Sequence, residues 1–226
     1  MISSLFRSLS IATLLIMGSA AHAQIIMVSN AGLDGTGEAY VEYSTFFGST
    51  YHWDRAQSFT TGVGSYTLNS IDLKLVGRNY DPSTFTVALY SDSGGDPGSL
   101  LATLTGNSDP NAAGTYTYTA TGGYALDAST PYFMVASVPS GELGDQYSYW
   151  MSTDPSDSET TSVDSWTLGN GHHSRNNAGS GTWSFDSSSL IMSVTATAVP
   201  EPSTYAGIFG GLALIGTFLV RRRKSR

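Results

Sequence analysis

Residues 66–75 read Tyr-Thr-Leu-Asn-Ser-Ile-Asp-Leu-Lys-Leu, and the second half of this stretch decides the fold. Ile71, Leu73 and Leu75 alternate with Asp72 and Lys74. Successive side chains of an extended chain point to opposite faces, so a period of two buries one face and wets the other. The same alternation returns in Phe85, Val87 and Leu89 against Thr86, Ala88 and Tyr90, and again in Leu190, Met192, Val194 and Ala196 against Ile191, Ser193 and Thr195. Further strand candidates are Ile25–Ser29, Tyr40–Phe47, Ala56–Thr60, Leu100–Leu104, Tyr116–Thr119, Tyr132–Val138, Tyr147–Met151 and Trp183–Phe185. Clusters of Gly, Pro, Asn and Asp separate them, and no window between the two ends of the chain holds helical spacing. The expectation is all-β: an antiparallel β-sandwich or jelly roll over 24–198, undivided by any linker. Ile71, Leu73, Leu75, Phe85, Val87, Leu89, Met192 and Val194 are expected to face inward.

Working outward, the two ends differ from this body. Residues 1–23 have the layout of a signal peptide: Arg7, an apolar run from Leu9 to Met17, then Ala21-His22-Ala23, the small-x-small pattern that a signal peptidase requires. Cleavage is expected between Ala23 and Gln24, after passage through the Sec export machinery. The apolar run is too short to span a bilayer.

Between Gln24 and Pro200 there are four basic residues (Arg55, Lys74, Arg78 and Arg175) against 17 acidic ones, a formal charge of −13. Such a body is repelled by phosphate backbones, which excludes nucleic-acid binding as a working hypothesis. The chain has no cysteine, so neither disulfides nor thiolate metal sites are available. Its stability must come from a packed core, for which 13 Tyr, 9 Phe and 4 Trp supply the surface.

The last 28 residues, 199–226, fall into three parts. Val199-Pro200-Glu201-Pro202-Ser203 is held extended by its prolines, since each fixes φ and disfavours helix in the residue before it. Tyr205–Val220 follows, 16 residues without charge. As a single transmembrane helix it would rise about 24 Å, short of the ~30 Å hydrocarbon core but within reach of snorkelling arginines and local thinning. Arg221, Arg222, Arg223 and Lys224 then form a basic stop that keeps this end cytoplasmic and the body outside. Motif, span and basic stop in this order resemble the PEP-CTERM sorting signal of Gram-negative bacteria. The resemblance implies a partner, an exosortase-type membrane protease that cuts near Pro-Glu-Pro and releases or re-anchors the protein at the cell surface. It also implies a setting in exopolysaccharide and biofilm production.

The body has a resemblance of its own. Arg55–Gly62 (RAQSFTTG), Tyr66–Leu75, Phe85–Gly106 (FTVALYSDSGGDPGSLLATLTG) and Tyr124–Ser137 (YALDASTPYFMVAS) resemble the choice-of-anchor domains, most nearly the R type. That implies export and β architecture and brings no catalytic residue and no cofactor.

Sites of chemistry are few. His172-His173 sits in GNGHHSRNNAGSG, read as an exposed Gly and Asn loop, with no third ligand at zinc spacing. Neither a Gly-x-Ser-x-Gly elbow nor a His-Glu-x-x-His is present. Asp92-Ser93-Gly94-Gly95-Asp96-Pro97-Gly98 reads as a tight turn, and Asp154–Asp164 as a solvated acidic loop, rather than as calcium sites. Trp150 and Trp183 are expected in the core. Trp53 and Trp166, in less regular stretches, are the candidates for an exposed face that stacks on sugar rings. The expected function is that of a non-enzymatic exported protein, structural or adhesive, at the surface or in the matrix. A carbohydrate-binding module for exopolysaccharide is the alternative, and a glycan-active enzyme using two carboxylates is the third reading.

Overall fold

The computed structural model describes residues 23–46, 49–76, 84–138, 146–153, 161–176, 181–200 and 211. Thirteen strands are present in chain order: β1 (Ile25–Ser29), β2 (Gly37–Phe46), β3 (Ser49–Thr60), β4 (Tyr66–Val76), β5 (Thr86–Ser93), β6 (Asp96–Leu104), β7 (Gly114–Leu126), β8 (Pro131–Ser137), β9 (Gln146–Ser152), β10 (Thr161–Ser162), β11 (Thr167–Asn176), β12 (Trp183–Asp186) and β13 (Met192–Ala198). All belong to one antiparallel sheet, and every expected strand exists. The all-β reading is correct, with the strands joined in one folded sheet rather than two separate ones. The C-terminal span, 205–220, lies outside the described residues apart from Gly211. Among the described residues no helix is long and apolar enough to cross a membrane.

Two strands organise the sheet. The alternating stretch from the opening is β4, which pairs β7 on one side and β13 on the other, with Ile71 opposite both Tyr118 and Val194. Beyond β13 lie β1 and then β10. The second organiser is β3, flanked by β8 and by β11, which lead on to β5–β6 and to β12 respectively. β2 and β9 connect the two halves, through Glu42 opposite Trp53 and through Trp150 opposite both Ala39 and Leu75. On the far side β6 and β7 meet at a single bridge, where Thr105 and Thr119 exchange N–H···O bonds of 2.8 and 2.9 Å.

Folding the sheet over brings its apolar faces together. One core cluster contains Leu68, Ile71, Leu73 and Leu75 of β4, Met192, Val194 and Ala196 of β13, Val87 and Leu89 of β5, and Met134 and Ala136 of β8. All eight residues expected to face inward are at most 2% exposed. Trp150 is fully buried as expected, and its Nε1 donates to the Ile191 carbonyl at 2.8 Å, which satisfies the polar end of a large apolar ring.

The Asp92–Gly98 segment is the turn the sequence suggests. Gly94 and Gly95 have φ of +70° and +96° and form the two-residue loop of the β5–β6 hairpin, with Ser93 opposite Asp96. Paired left-handed conformations match the right-handed twist of the strands, which is why this loop takes two glycines. The Asp92 carboxylate accepts the Gly95 N–H at 3.1 Å. Of the second acidic loop, 154–160 lies outside the described residues.

Candidate functional site: a charged aromatic ledge on β3, β11 and β12

The sequence places His172 and His173 in an exposed loop; the structure overturns this. Both lie in β11, paired with Gln57 and Ala56 of β3 on one side and with Asp186 and Phe185 of β12 on the other. They are 3% and 9% exposed. Adjacent residues of a strand face opposite sides, so the two imidazoles have different surroundings. His172 Nδ1 lies 2.6 Å from the Ser188 carbonyl, which it reaches as a donor, and 3.8 Å from Asp186 Oδ1. Burial pushes its pKa down, against the opposing effect of that backbone hydrogen bond, and Arg55 adds to the lowering. The Asp186 carboxyl is held below its usual range, chiefly by the Ser188 backbone N–H, and also by the Ser188 hydroxyl.

His173 points to the other face. Its ring meets Phe133 and Phe185 edge-on, with centroids 5.1 and 5.5 Å away, and its Nδ1 lies 2.9 Å from Asp96 Oδ1 at the β5–β6 turn. Both aspartates of that turn therefore have partners within the protein.

One register step along, Arg175 of β11 stands opposite Asp54 of β3 and Trp183 of β12. Its Nη2 and Nε donate to Asp54 Oδ2 at 2.7 and 3.1 Å, and its guanidinium lies 4.4 Å from the centre of the Trp183 ring. His52 Nε2 is 3.2 Å from the other carboxylate oxygen, so Asp54, itself buried, sits between a guanidinium and an imidazole. The second pair of this kind is Arg55 over Trp53, at 5.1 Å. Arg55 Nε also donates to the Tyr40 carbonyl at 2.7 Å. Desolvation lowers the Arg55 pKa, opposed by the charges of Asp186 and Glu42. Two of the body's four basic residues thus lie on adjacent strands, each covering a half-buried tryptophan.

The two tryptophans proposed to touch sugar fare differently. Trp53 is half-buried, with the Arg55 guanidinium over its ring. Trp166 is fully buried, which corrects its reading as a glycan contact. Asp164 and Ser165 adopt φ of +51° and +65° and turn the chain back, laying the indole parallel to Phe59 at 5.8 Å and edge-on to Tyr66 at 5.0 Å. Trp183, expected in the core, is half-buried and packs against the small apolar cluster of Ala56, Phe133 and Val135, while its neighbour on the ledge, Phe185, is 65% exposed. Local sequence could not separate these cases, because exposure of a ring depends on what the turn beside it packs against. A second polar surface is a groove beside β4 and β7, lined by Gln24, Thr67, Asn69, Thr117 and Thr119.

The expected cleavage point and the first residue of the sorting motif lie at one end. Ala23 and Gln24 are exposed at the start of β1. Val199 follows β13 directly, its N–H donating to the Ser65 carbonyl at 2.9 Å. Glu201, Pro202 and the basic stop Arg221, Arg222, Arg223 and Lys224 lie outside the described residues, as does 1–22. Residues 198–224 match the family model of the PEP-CTERM protein-sorting motif. The chain carries a PEP-CTERM sorting motif. No similar sequence was found among curated proteins. The motif implies export, anchorage at the membrane in transit and processing by exosortase. Among its described residues no three His, Asp or Glu side chains converge as a metal site would require.

Proposed function

We propose that this protein is a non-enzymatic component of the cell surface or extracellular matrix, with a structural or adhesive role beside exopolysaccharide in a biofilm. One observation supports a binding rather than a catalytic body: the Nδ1 atoms of His172 and His173 are engaged inside strands, and His52, whose ring nitrogens accept and donate no hydrogen bond among the described residues, is buried beside Asp54 where substrate does not reach it. His172 bonds a backbone carbonyl, His173 bonds Asp96, and Asp54 bonds Arg175. A general base must instead present a free nitrogen to substrate. The resemblance of Arg55–Gly62 and Phe85–Gly106 to choice-of-anchor domains supports the same reading, since those domains pair a shared body with a surface anchor.

A specific observation favours the second reading, a carbohydrate-binding module. Trp183 and Phe185 alternate on β12, so both rings lie on one face of an edge strand, with Arg175 and His173 as polar neighbours. The exposed Phe185 ring, with the Arg175 guanidinium lying over half-buried Trp183 beside it, offers a pyranose chain one flat apolar face and a charged hydrogen-bond donor. The test is a glycan array and a hydrolysis assay on the exported protein, together with Phe185→Ala and Trp183→Ala. Binding that both variants lose, without turnover, establishes the module. Turnover makes the protein an enzyme, and neither binding nor turnover leaves the structural role.

A further inference from the structure

Four exposed aliphatic residues surround the point where the sorting motif leaves the body. β1 begins beside the end of β13, with Ile25 opposite Ala196 and Ile26 opposite Thr195. Ala198 stands opposite Tyr66, and the Val199–Ser65 hydrogen bond ties in the loop that carries Val63. Ile25, Ile26, Val63 and Val199 are 44%, 45%, 79% and 46% exposed. They are half of the eight large hydrophobic residues left exposed among those described, gathered at one pole. Ile25 and Ile26, successive in β1, face opposite sides of the strand, so the four residues ring the exit of the motif on both faces of the sheet rather than forming one flat patch.

We infer that this pole is an exosite for the sorting protease: Ile25, Ile26 and Val63 bind the exosortase around the segment it cuts. The inference rests on the sorting of this protein by exosortase and adds the body as part of what is recognised. The argument is one of reach. Val199 is at once the last body-bonded residue, a member of this ring and part of the matched motif. Only five residues separate it from the apolar run that starts at Tyr205, at most about 20 Å of extended chain. A membrane-embedded enzyme that grips Val199–Pro202 within that reach has to abut the residues around Val199. Apolar contacts remote from the cut then contribute binding energy that positions the scissile segment. A lipid surface is the poorer occupant, because anionic headgroups repel a body with a formal charge of −13.

The test follows tail removal in cells expressing the full chain with a tag after Ser225, in pulse-chase. Three forms are compared with wild type: the triple variant Ile25→Ser, Ile26→Ser, Val63→Ser; a form with six Gly and Ser residues inserted between Ala198 and Val199; and Glu201→Ala. The triple variant should lose its tail roughly tenfold more slowly. The insertion, which leaves every body residue unchanged, should slow processing likewise by separating the motif from these residues. Glu201→Ala should retain the tail. Wild-type rates in both the triple variant and the insertion overturn the exosite while leaving sorting intact. Wild-type rates accompanied by lost flotation of the triple variant with phosphatidylglycerol vesicles overturn it in favour of lipid. Retention of the tail by the wild type overturns sorting, and the exosite with it.

Discussion

At the scale of single residues, the buried charges of β3 and β11 set how stability depends on pH. His172 has its folded pKa depressed below the ordinary 6.5, so the unfolded chain binds its proton more readily than the native one. Its contribution is therefore fully present above that value and is lost as pH falls through it. Asp186 is also depressed, but from 3.8, so its contribution persists until more acidic conditions. The melting temperature should fall between pH 7 and pH 5, and His172→Gln should flatten that slope; an equal slope in the variant would remove His172 as the cause. Asp54 offers a second check. Its carboxylate is 3% exposed and pairs with an Arg175 side chain that is 16% exposed. Asp54→Ala leaves a largely desolvated guanidinium without its partner and should cost about 3 kcal/mol in urea denaturation.

At the scale of elements, β5–β6 and β11 illustrate two ways in which a segment is specified. The hairpin is local: Gly94 and Gly95 occupy a conformation that disfavours a Cβ, and an added Cβ at either would meet no atom within 4 Å. Gly94→Ala and Gly95→Ala should each therefore cost about 1–2 kcal/mol through the backbone alone, seen as a lower urea midpoint with unchanged m-value. The acids of this turn are engaged by Gly95 N–H and by His173. Adding a chelator should leave the melting temperature unchanged, whereas a ligand bound only by the native state would have raised it. β11 is not local. Thr-Leu-Gly-Asn-Gly-His-His-Ser-Arg-Asn has no alternation, and its register against β3 shifts between Leu168 and His172. Gly171 is required there by close approach, since a Cβ would lie 2.3 Å from the Asp186 carbonyl oxygen. The strand exists because β3 and β12 pair with it and because Phe133 and Phe185 enclose His173.

At the scale of the whole molecule, the pairing of β1 with β13 puts the start of the body and Val199, where the sorting motif begins, at the same pole. The ledge of Trp183 and Phe185 belongs to the other half of the sheet, around β3. Val199 and the ledge thus occupy different parts of the fold. Glu201→Ala should leave full-length chain in the membrane fraction, because anchoring depends on the apolar run and the basic stop rather than on the motif. Fractionation with a tag after Ser225 measures this, and tagged protein outside the cell would contradict it.

Alternation and terminal composition were enough to determine the strands with regular apolar faces, the inward set from Ile71 to Val194, the two-glycine turn and the sorting tail. These features are written in neighbouring residues: a period of two fixes which face is buried, and motif, apolar run and basic stop act in linear order. Tertiary structure alone decided the rest. It buried Trp166 against Phe59, left Trp183 half-buried beneath Arg175, turned an apparent Gly and Asn loop into β11, and brought Ile25, Ile26, Val63 and Val199 to one pole. Each of these depends on residues far apart in the chain, such as Trp166 and Phe59 or Ile25 and Val199. Burial of a polar or aromatic side chain is set by the partner that the folded sheet brings to it.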